Sequence, residues 1–278
     1  MSRSAPERRV TRVTIGAPRE SLRDALAGEE PLEIRVLGRS LAVTMRTPGD
    51  DFDLAAGFLV SEGVISRSRE LTTMRYCAGA GDDGVNRYNV LDLTLAPDVA
   101  APDQSVARAF FTTSSCGLCG KASIDAVRTR SSFEVRDDSW QVSPEWLVSL
   151  PRRLRDAQKL FDSTGGLHAA ALFDAASGDL LVLREDVGRH NAVDKVVGWA
   201  LREDRLPLRA TVLLVSGRAS FELVQKAVMA GVAMLCAVSA PSSLATDLAD
   251  EAGLTLVGFL RDPSFVIYTN ARRIVTDD

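Results

Sequence analysis

The chain has 278 residues, 46% hydrophobic and 25% charged, a balance that supports a sizeable buried core in one large domain or two small ones. A formal net charge of −4 and a pI of about 5.4 argue against a protein that grips nucleic acid through its phosphates. The longest nearly apolar run, Ala227 to Val238, falls well short of the roughly 20 residues a bilayer needs, and no apolar stretch follows the N-terminal charges, so the expectation is a cytoplasmic protein without membrane contact.

Residues 1–28 read as a flexible arm, basic from Arg3 to Arg12. Residues 31–46 predict a β-hairpin. Leu32, Ile34 and Val36 alternate, Gly38 marks the turn, and Leu41, Val43 and Met45 alternate again. Pro48-Gly49-Asp50 breaks the pattern. Asp50 or Asp51 can then cap a helix built on Phe52, Leu54, Ala55, Phe58 and Leu59, which ends near Gly63. Residues 87–95 alternate as a strand. A short helix is expected over Ser123 to Arg130, and a second starts at Ser143-Pro144, with Pro151 as an interruption.

From Leu167 onward strands and helices alternate. Strands are predicted over His168–Asp174, Asp179–Arg184, Thr211–Val215, Met234–Val238, Leu254–Leu260 and Phe265–Tyr268, and helices over Arg189–Arg202, Ser220–Ala230 and Ser242–Ala252. That rhythm marks an α/β fold, a mixed sheet with helices on both faces. One domain over 29–278 is favoured: a β-rich part at about 29–110, a loop at 112–121 and the alternating part at about 165–278.

Thiols in a cytoplasmic protein stay reduced, so the four cysteines are not a disulfide framework. Cys236 lies in an apolar run and reads as a core residue, and Cys77 has no assignment. Cys116 and Cys119 form a CxxC in the Ser/Thr/Gly-rich loop Thr112 to Lys121. Lys121 and a following helix start would favour the thiolate, the species that attacks sulfur. Three readings fit the spacing: half of a zinc site, a thioredoxin-like dithiol, and a sulfur carrier. A zinc site needs two further ligands, and no second short pair exists. A thioredoxin motif sits early in a small βαβ unit, unlike this one.

The neighbouring segments separate these readings. Thr47-Pro48-Gly49-Asp50 with Ser61-Glu62-Gly63 comes first, then Ser115-Cys116-Gly117-Leu118-Cys119-Gly120, then Thr164-Gly165-Gly166-Leu167-His168. Glu185-Asp186-Val187-Gly188-Arg189-His190-Asn191 running on to Lys195, Val215-Ser216-Gly217-Arg218-Ala219-Ser220 and Thr255-Leu256-Val257-Gly258-Phe259 complete six ordered blocks. In this order they resemble the FdhD family, sulfurtransferases needed to make formate dehydrogenase active.

The resemblance implies a cytidine-deaminase-like fold and a homodimer. It also implies a persulfide accepted from a cysteine desulfurase and passed to the molybdenum bis-guanine-dinucleotide cofactor, with formate dehydrogenase as client. The persulfide cysteine maps onto Cys116, with Cys119 beside it. The cofactor stretch maps onto Phe259, Leu260, Arg261, Asp262, Pro263 and Ser264. The cofactor is then a bound substrate, and no permanent metal is expected. The zinc deaminase pattern, H-x-E followed by P-C-x-x-C, is absent, since Ala169-Ala170 follow His168 and the cysteine pair precedes it. A non-enzymatic cofactor-binding chaperone is the alternative function.

Chemistry suggests further site residues. A guanine dinucleotide is anionic and suits strand-to-helix turns. Ser216, Gly217 and Arg218 make such a turn, with Ser220 as the helix cap and Arg218 able to hold a phosphate. Ser239 to Ser242 make another, or simply a cap. Arg189, His190 and Lys195 gather donors on one helix, where Asp194 could orient His190 from four residues away. His168 opens a strand after two glycines and joins this set.

Overall fold

The structure is a computed structural model that describes residues 3–77, 88–102 and 131–275. Cys116, Cys119, the loop 112–121 and the helix expected over Ser123 to Arg130 lie outside the described residues.

Strands β1 (Glu7–Arg12) and β2 (Glu20–Ala25) pair antiparallel as a two-stranded ribbon. The expected frayed arm is thus corrected to a β-ribbon, because its polar residues pair in register across the turn instead of trailing. Strands β3 (Glu30–Val36) and β4 (Arg39–Arg46) form the predicted hairpin. With β5 (Leu71–Tyr76) and β6 (Val90–Leu95) they make a four-stranded sheet in the order β4-β3-β6-β5. The alternation does what its period requires: Leu32, Ile34 and Val36 are each no more than 4% exposed.

Helix α1 (Asp51–Ser61) follows. Asp50 stands at its N-cap in the left-handed region (φ 53°) and makes no side-chain cap bond, while the Asp51 carboxylate turns inward to Arg46 and Tyr76. Helix α2 (Pro144–Ala157) runs on through Pro151. The expected interruption does not occur, because Leu147, Leu150 and Leu154 are buried on one stripe and hold the helix across the missing hydrogen bond. Ser143 caps α2 by accepting the Trp146 N–H at 3.2 Å.

The short helix α3 (Lys159–Thr164) leads to a six-stranded sheet of order β12-β11-β10-β9-β7-β8. Its strands are β7 (His168–Asp174), β8 (Leu180–Asp186), β9 (Thr211–Val215), β10 (Met234–Ala237), β11 (Thr255–Arg261) and β12 (Ser264–Thr269). Helices α4 (Arg189–Arg202), α5 (Phe221–Met229) and α6 (Ser243–Ala252) connect them. Strands β9, β10 and β11 are mutually parallel, while β7 and β12 run opposite to their neighbours, which makes the sheet mixed as expected.

Two cores flank this sheet. On one face Ala170, Leu172, Leu213, Val215, Leu235 and Leu256 meet α1, α4, α5, α6 and the inner side of the four-stranded sheet. On the other, Ala171, Phe173, Leu214, Cys236 and Val257 meet Leu147, Leu150 and Leu154 of α2. Cys236 is fully buried, as its apolar run predicts, and burial pushes its thiol far up. Between the two sheets α1 crosses α4 at Gly57 and Gly198. A Cβ on Gly57 would lie 1.8 Å from the Asp194 carbonyl oxygen, and one on Gly198 would lie 1.8 Å from that of Asp53.

Candidate functional site

Strands β8, β9, β10 and β11 all point their C-terminal ends to one edge of the six-stranded sheet, and β7 begins there. Helices α4, α5 and α6 start at this edge, so their N-terminal N–H groups and dipoles favour a negative ligand. Topology therefore gathers there residues drawn from four separate sequence blocks.

His168 stands first in β7, paired with Asp186 at the end of β8. Beside it Ser216 follows β9. The Ser216 Oγ accepts the Ala169 N–H at 2.9 Å, and the Ser216 N–H donates to the Ala169 carbonyl at 3.0 Å, which fastens the turn to β7. Gly217 lies against the His168 ring, where a Cβ would come 3.5 Å from Nδ1. Arg218 follows on the same turn and is exposed.

Arg189 and His190 open α4. The Arg189 Nε is buried without a hydrogen-bond partner, a cost that a bound acceptor would remove. His190 Nε2 lies 3.4 Å from Ser220 Oγ and 3.8 Å from a Glu222 carboxylate oxygen. Burial pushes the His190 pKa down to about 4, helped by the nearby Arg189 and Lys226 cations and opposed by Glu222. Burial and then Arg189 also lower His168. Both imidazoles are thus neutral near pH 7, able to donate from one nitrogen and accept at the other.

The stretch Phe259–Ser264 forms the β11–β12 corner at the same edge. Arg261 pairs with Ser264 across Asp262 and Pro263, and all four are exposed. Phe259 is 39% exposed at φ 52°, an uncommon conformation for an aromatic residue, and its N–H donates to the Ser239 carbonyl at 3.2 Å. Leu260 turns into the core under α2 and presents no side chain to the edge.

The structure reassigns other expected contacts. Asp194 does not orient His190. It is buried, holds Lys226 Nζ with both oxygens at 2.8 Å and accepts Ser61 Oγ at 2.6 Å. The helical spacing is correct, but the carboxylate faces α1 and α5. Lys195 is 1% exposed, with Nζ 2.8 Å from Asp186, 3.0 Å from the Thr47 carbonyl and 3.2 Å from that of Glu185. It is an interior cation, because the charge of Asp186 and two carbonyls draw it inward. Ser220 stands at the N-cap of α5 without a side-chain cap bond. Ser242 is a plain cap of α6, accepting the Ala245 N–H.

What the sequence reading missed is the seat beneath this edge. The Thr47 N–H donates to Asp186 Oδ2 at 3.1 Å, and its Oγ1 accepts the Val187 N–H at 3.1 Å. Asn191 Nδ2 donates to the Met45 carbonyl at 2.7 Å and to Asp186 Oδ1 at 3.0 Å, and its oxygen accepts Thr44 Oγ1 at 3.1 Å. This fully satisfied network joins the Thr47-Pro48-Gly49-Asp50 segment to the start of α4. The available signal was that both segments belong to the shared blocks.

Among the described residues no group of three or more His, Cys, Asp or Glu side chains could hold a metal ion, and no helix is long and apolar enough to cross a membrane.

The model of the FdhD/NarQ family matches residues 27–275. A relative from Mycolicibacterium paratuberculosis named sulfur carrier protein FdhD is 62% identical over 267 residues, covering 96% of this chain and 97% of its own. One of the same name from Streptomyces avermitilis is 61% identical over 275 residues, covering 99% and 97%. A crystal structure from Desulfotalea psychrophila, proposed to be a formate dehydrogenase accessory protein, superposes with a TM-score of 0.74 at 22% identity, over 98% of this chain and 99% of that one. At that identity the likeness shows the fold.

Proposed function

The chain belongs to the FdhD/NarQ family, and on that premise we propose that it is a cytoplasmic sulfurtransferase. It accepts sulfur from a cysteine desulfurase as a persulfide on Cys116 and delivers it to a molybdenum bis-guanine-dinucleotide cofactor bound as substrate, for use by formate dehydrogenase. The observation that carries the binding half is the sheet edge. There Arg189 with its unpartnered buried Nε, two neutral imidazoles, three helix starts and the exposed Phe259 converge from separate blocks. Phosphates suit Arg189, Arg218 and the helix N–H groups, and a guanine suits the Phe259 ring. The relatives' name supports the sulfur half.

The loading step is thiol exchange. The Cys116 thiolate attacks the outer sulfur of the donor persulfide, a Cys116 Sγ–S bond forms, the donor S–S bond breaks, and the donor cysteine leaves as thiolate. Release as sulfide needs two electrons. The Cys119 thiolate supplies them by attacking Cys116 Sγ, which leaves a Cys116–Cys119 disulfide and frees hydrosulfide for the cofactor.

Intact mass after incubation with a cysteine desulfurase and cysteine tests this. Wild type and Cys119→Ser gain one reductant-labile sulfur, and Cys116→Ser gains none. A desulfurase that is active and loads no form would refute the carrier role and leave a cofactor-binding chaperone.

A further inference from the structure

Carboxylates are out of place on an edge suited to phosphates, yet Asp186, Asp262 and Glu222 all stand at this one. Asp186 is spent internally, on Lys195 Nζ, the Thr47 N–H and Asn191. Asp262 stands on the exposed β11–β12 corner. Glu222 is different. It lies in the first turn of α5, with a carboxylate oxygen 3.8 Å from His190 Nε2 at the start of α4. That is too long for a hydrogen bond, so carboxylate and imidazole stand side by side with bonding directions left over.

The layer beneath explains why Glu222 stays available. Asp194 follows His190 by one turn of α4, and Lys226 follows Glu222 by one turn of α5. Lys226 Nζ is 2.8 Å from both Asp194 oxygens, so the cation nearest to Glu222 on its own helix is already taken. Among the described residues no Lys or Arg forms an ion pair with Glu222. Burial works to raise its pKa, but the Ser220 hydroxyl, its own N–H, His190 and Arg189 together hold it below the ordinary value, and the group is ionised near pH 7.

An ionised carboxylate binds two adjacent N–H donors with its two oxygens. Among the nucleic-acid bases guanine presents such a pair, N1–H beside the N2 amino group, with O6 next to them as an acceptor. Adenine and cytosine turn a ring-nitrogen lone pair toward the same place, which a carboxylate repels. We propose that Glu222 selects guanine at this edge by accepting N1–H and the N2 amino group, with the His190 N–H donating to O6. This rests on the cofactor-binding reading above and adds the group that tells guanine from other bases. Arg189, Arg218 and the helix N–H groups remain for the phosphates, and the faces of the base remain free for an aromatic ring.

Titration calorimetry of the full chain with the diphosphates of guanosine, inosine and xanthosine tests it. The three share ribose and phosphates and carry an amino group, a hydrogen and an oxygen, respectively, at position 2 of the base. Wild type binds the guanosine form about tenfold or more tighter than the inosine form, and tighter still than the xanthosine form, whose oxygen faces the carboxylate. Glu222→Gln keeps one acceptor and makes the other a donor. It weakens the guanosine form by about thirtyfold and binds the xanthosine form better than the guanosine form, because the amide donates to the new oxygen. That reversal is a gain of binding, which a misfolded variant would not produce. A wild type that binds all three equally, or a Glu222→Gln that keeps the wild-type order, would overturn this inference and leave cofactor binding standing. A wild type that binds none of them would overturn the cofactor-binding reading and the role of Glu222 together.

Discussion

Gly57→Ala tests the geometry on which the site rests. Helix propensity alone predicts that alanine stabilises α1 by about 1 kcal/mol. The crossing with α4 predicts the opposite. The added methyl would sit 1.8 Å from the Asp194 carbonyl oxygen and 2.7 Å from the Gly198 nitrogen, and both obstacles are backbone atoms that cannot swing aside. Ordinary contact needs about 3.4 Å, so the helices must part by roughly 1.5 Å, enough to forfeit much of the dispersion energy across the seam. Overpacking costs about 1–3 kcal/mol where side chains can yield and more where they cannot, so the net expectation is a loss of about 2 kcal/mol or more. In a chain of this size that lowers the melting temperature by roughly 4–8 °C. Gly198→Ala meets Asp53 in the mirror contact, also at 1.8 Å, and demands the same separation. The double variant should therefore cost clearly less than the sum of the singles. Thermal and urea unfolding of the three variants measure this. A neutral or stabilised Gly57→Ala, or strictly additive losses, would refute the close crossing.

Two further outcomes follow from buried charge and from the site histidine. Lys195→Met leaves Asp186 buried without its cation and should cost about 3–5 kcal/mol in urea unfolding. Lys195→Met/Asp186→Asn should recover a good part of that loss, whereas a cofactor-contacting Lys195 would leave stability nearly unchanged. His190, pushed down to about 4 when folded against an ordinary 6.5, stays neutral in the native protein while the unfolded chain binds a proton, so stability falls as pH drops from about 6.5 to 4 and levels off below. His190→Gln should flatten that part of the stability-versus-pH curve relative to wild type, and an unchanged wild-type slope would show that the imidazole is not desolvated.

Much of the fold was legible in the sequence because it is written in local periods. Alternating Leu32, Ile34 and Val36 specify a strand with one buried face, and the β-strand and helix rhythm after Leu167 matches the observed elements to within two residues at each end. Pro151 shows where local rules stop, since one buried leucine stripe outweighs one lost hydrogen bond. The ribbon of residues 7–25 has polar strands without a long apolar run, so nothing in its periodicity separated it from a loose arm.

For the site, the blocks supplied residues that the fold brings to one sheet edge, His168, Arg189, His190, Ser216 and Arg218 among them, while the CxxC chemistry gave a reactive thiol pair whose sulfur-carrier role came from the family resemblance. The direction in which each side chain faces was decided by tertiary structure. Spacing put His190 and Asp194 within one helical turn, but Lys226 of α5 and Ser61 of α1 take the carboxylate. Lys195 looked like a donor for an anion until Asp186 and Thr47, more than a hundred residues apart, closed around it. A sequence determines which groups are available and their local periodicity. Which of them meet a ligand and which neutralise one another depends on desolvation and on long-range partners, and those exist only once the sheets and helices are packed.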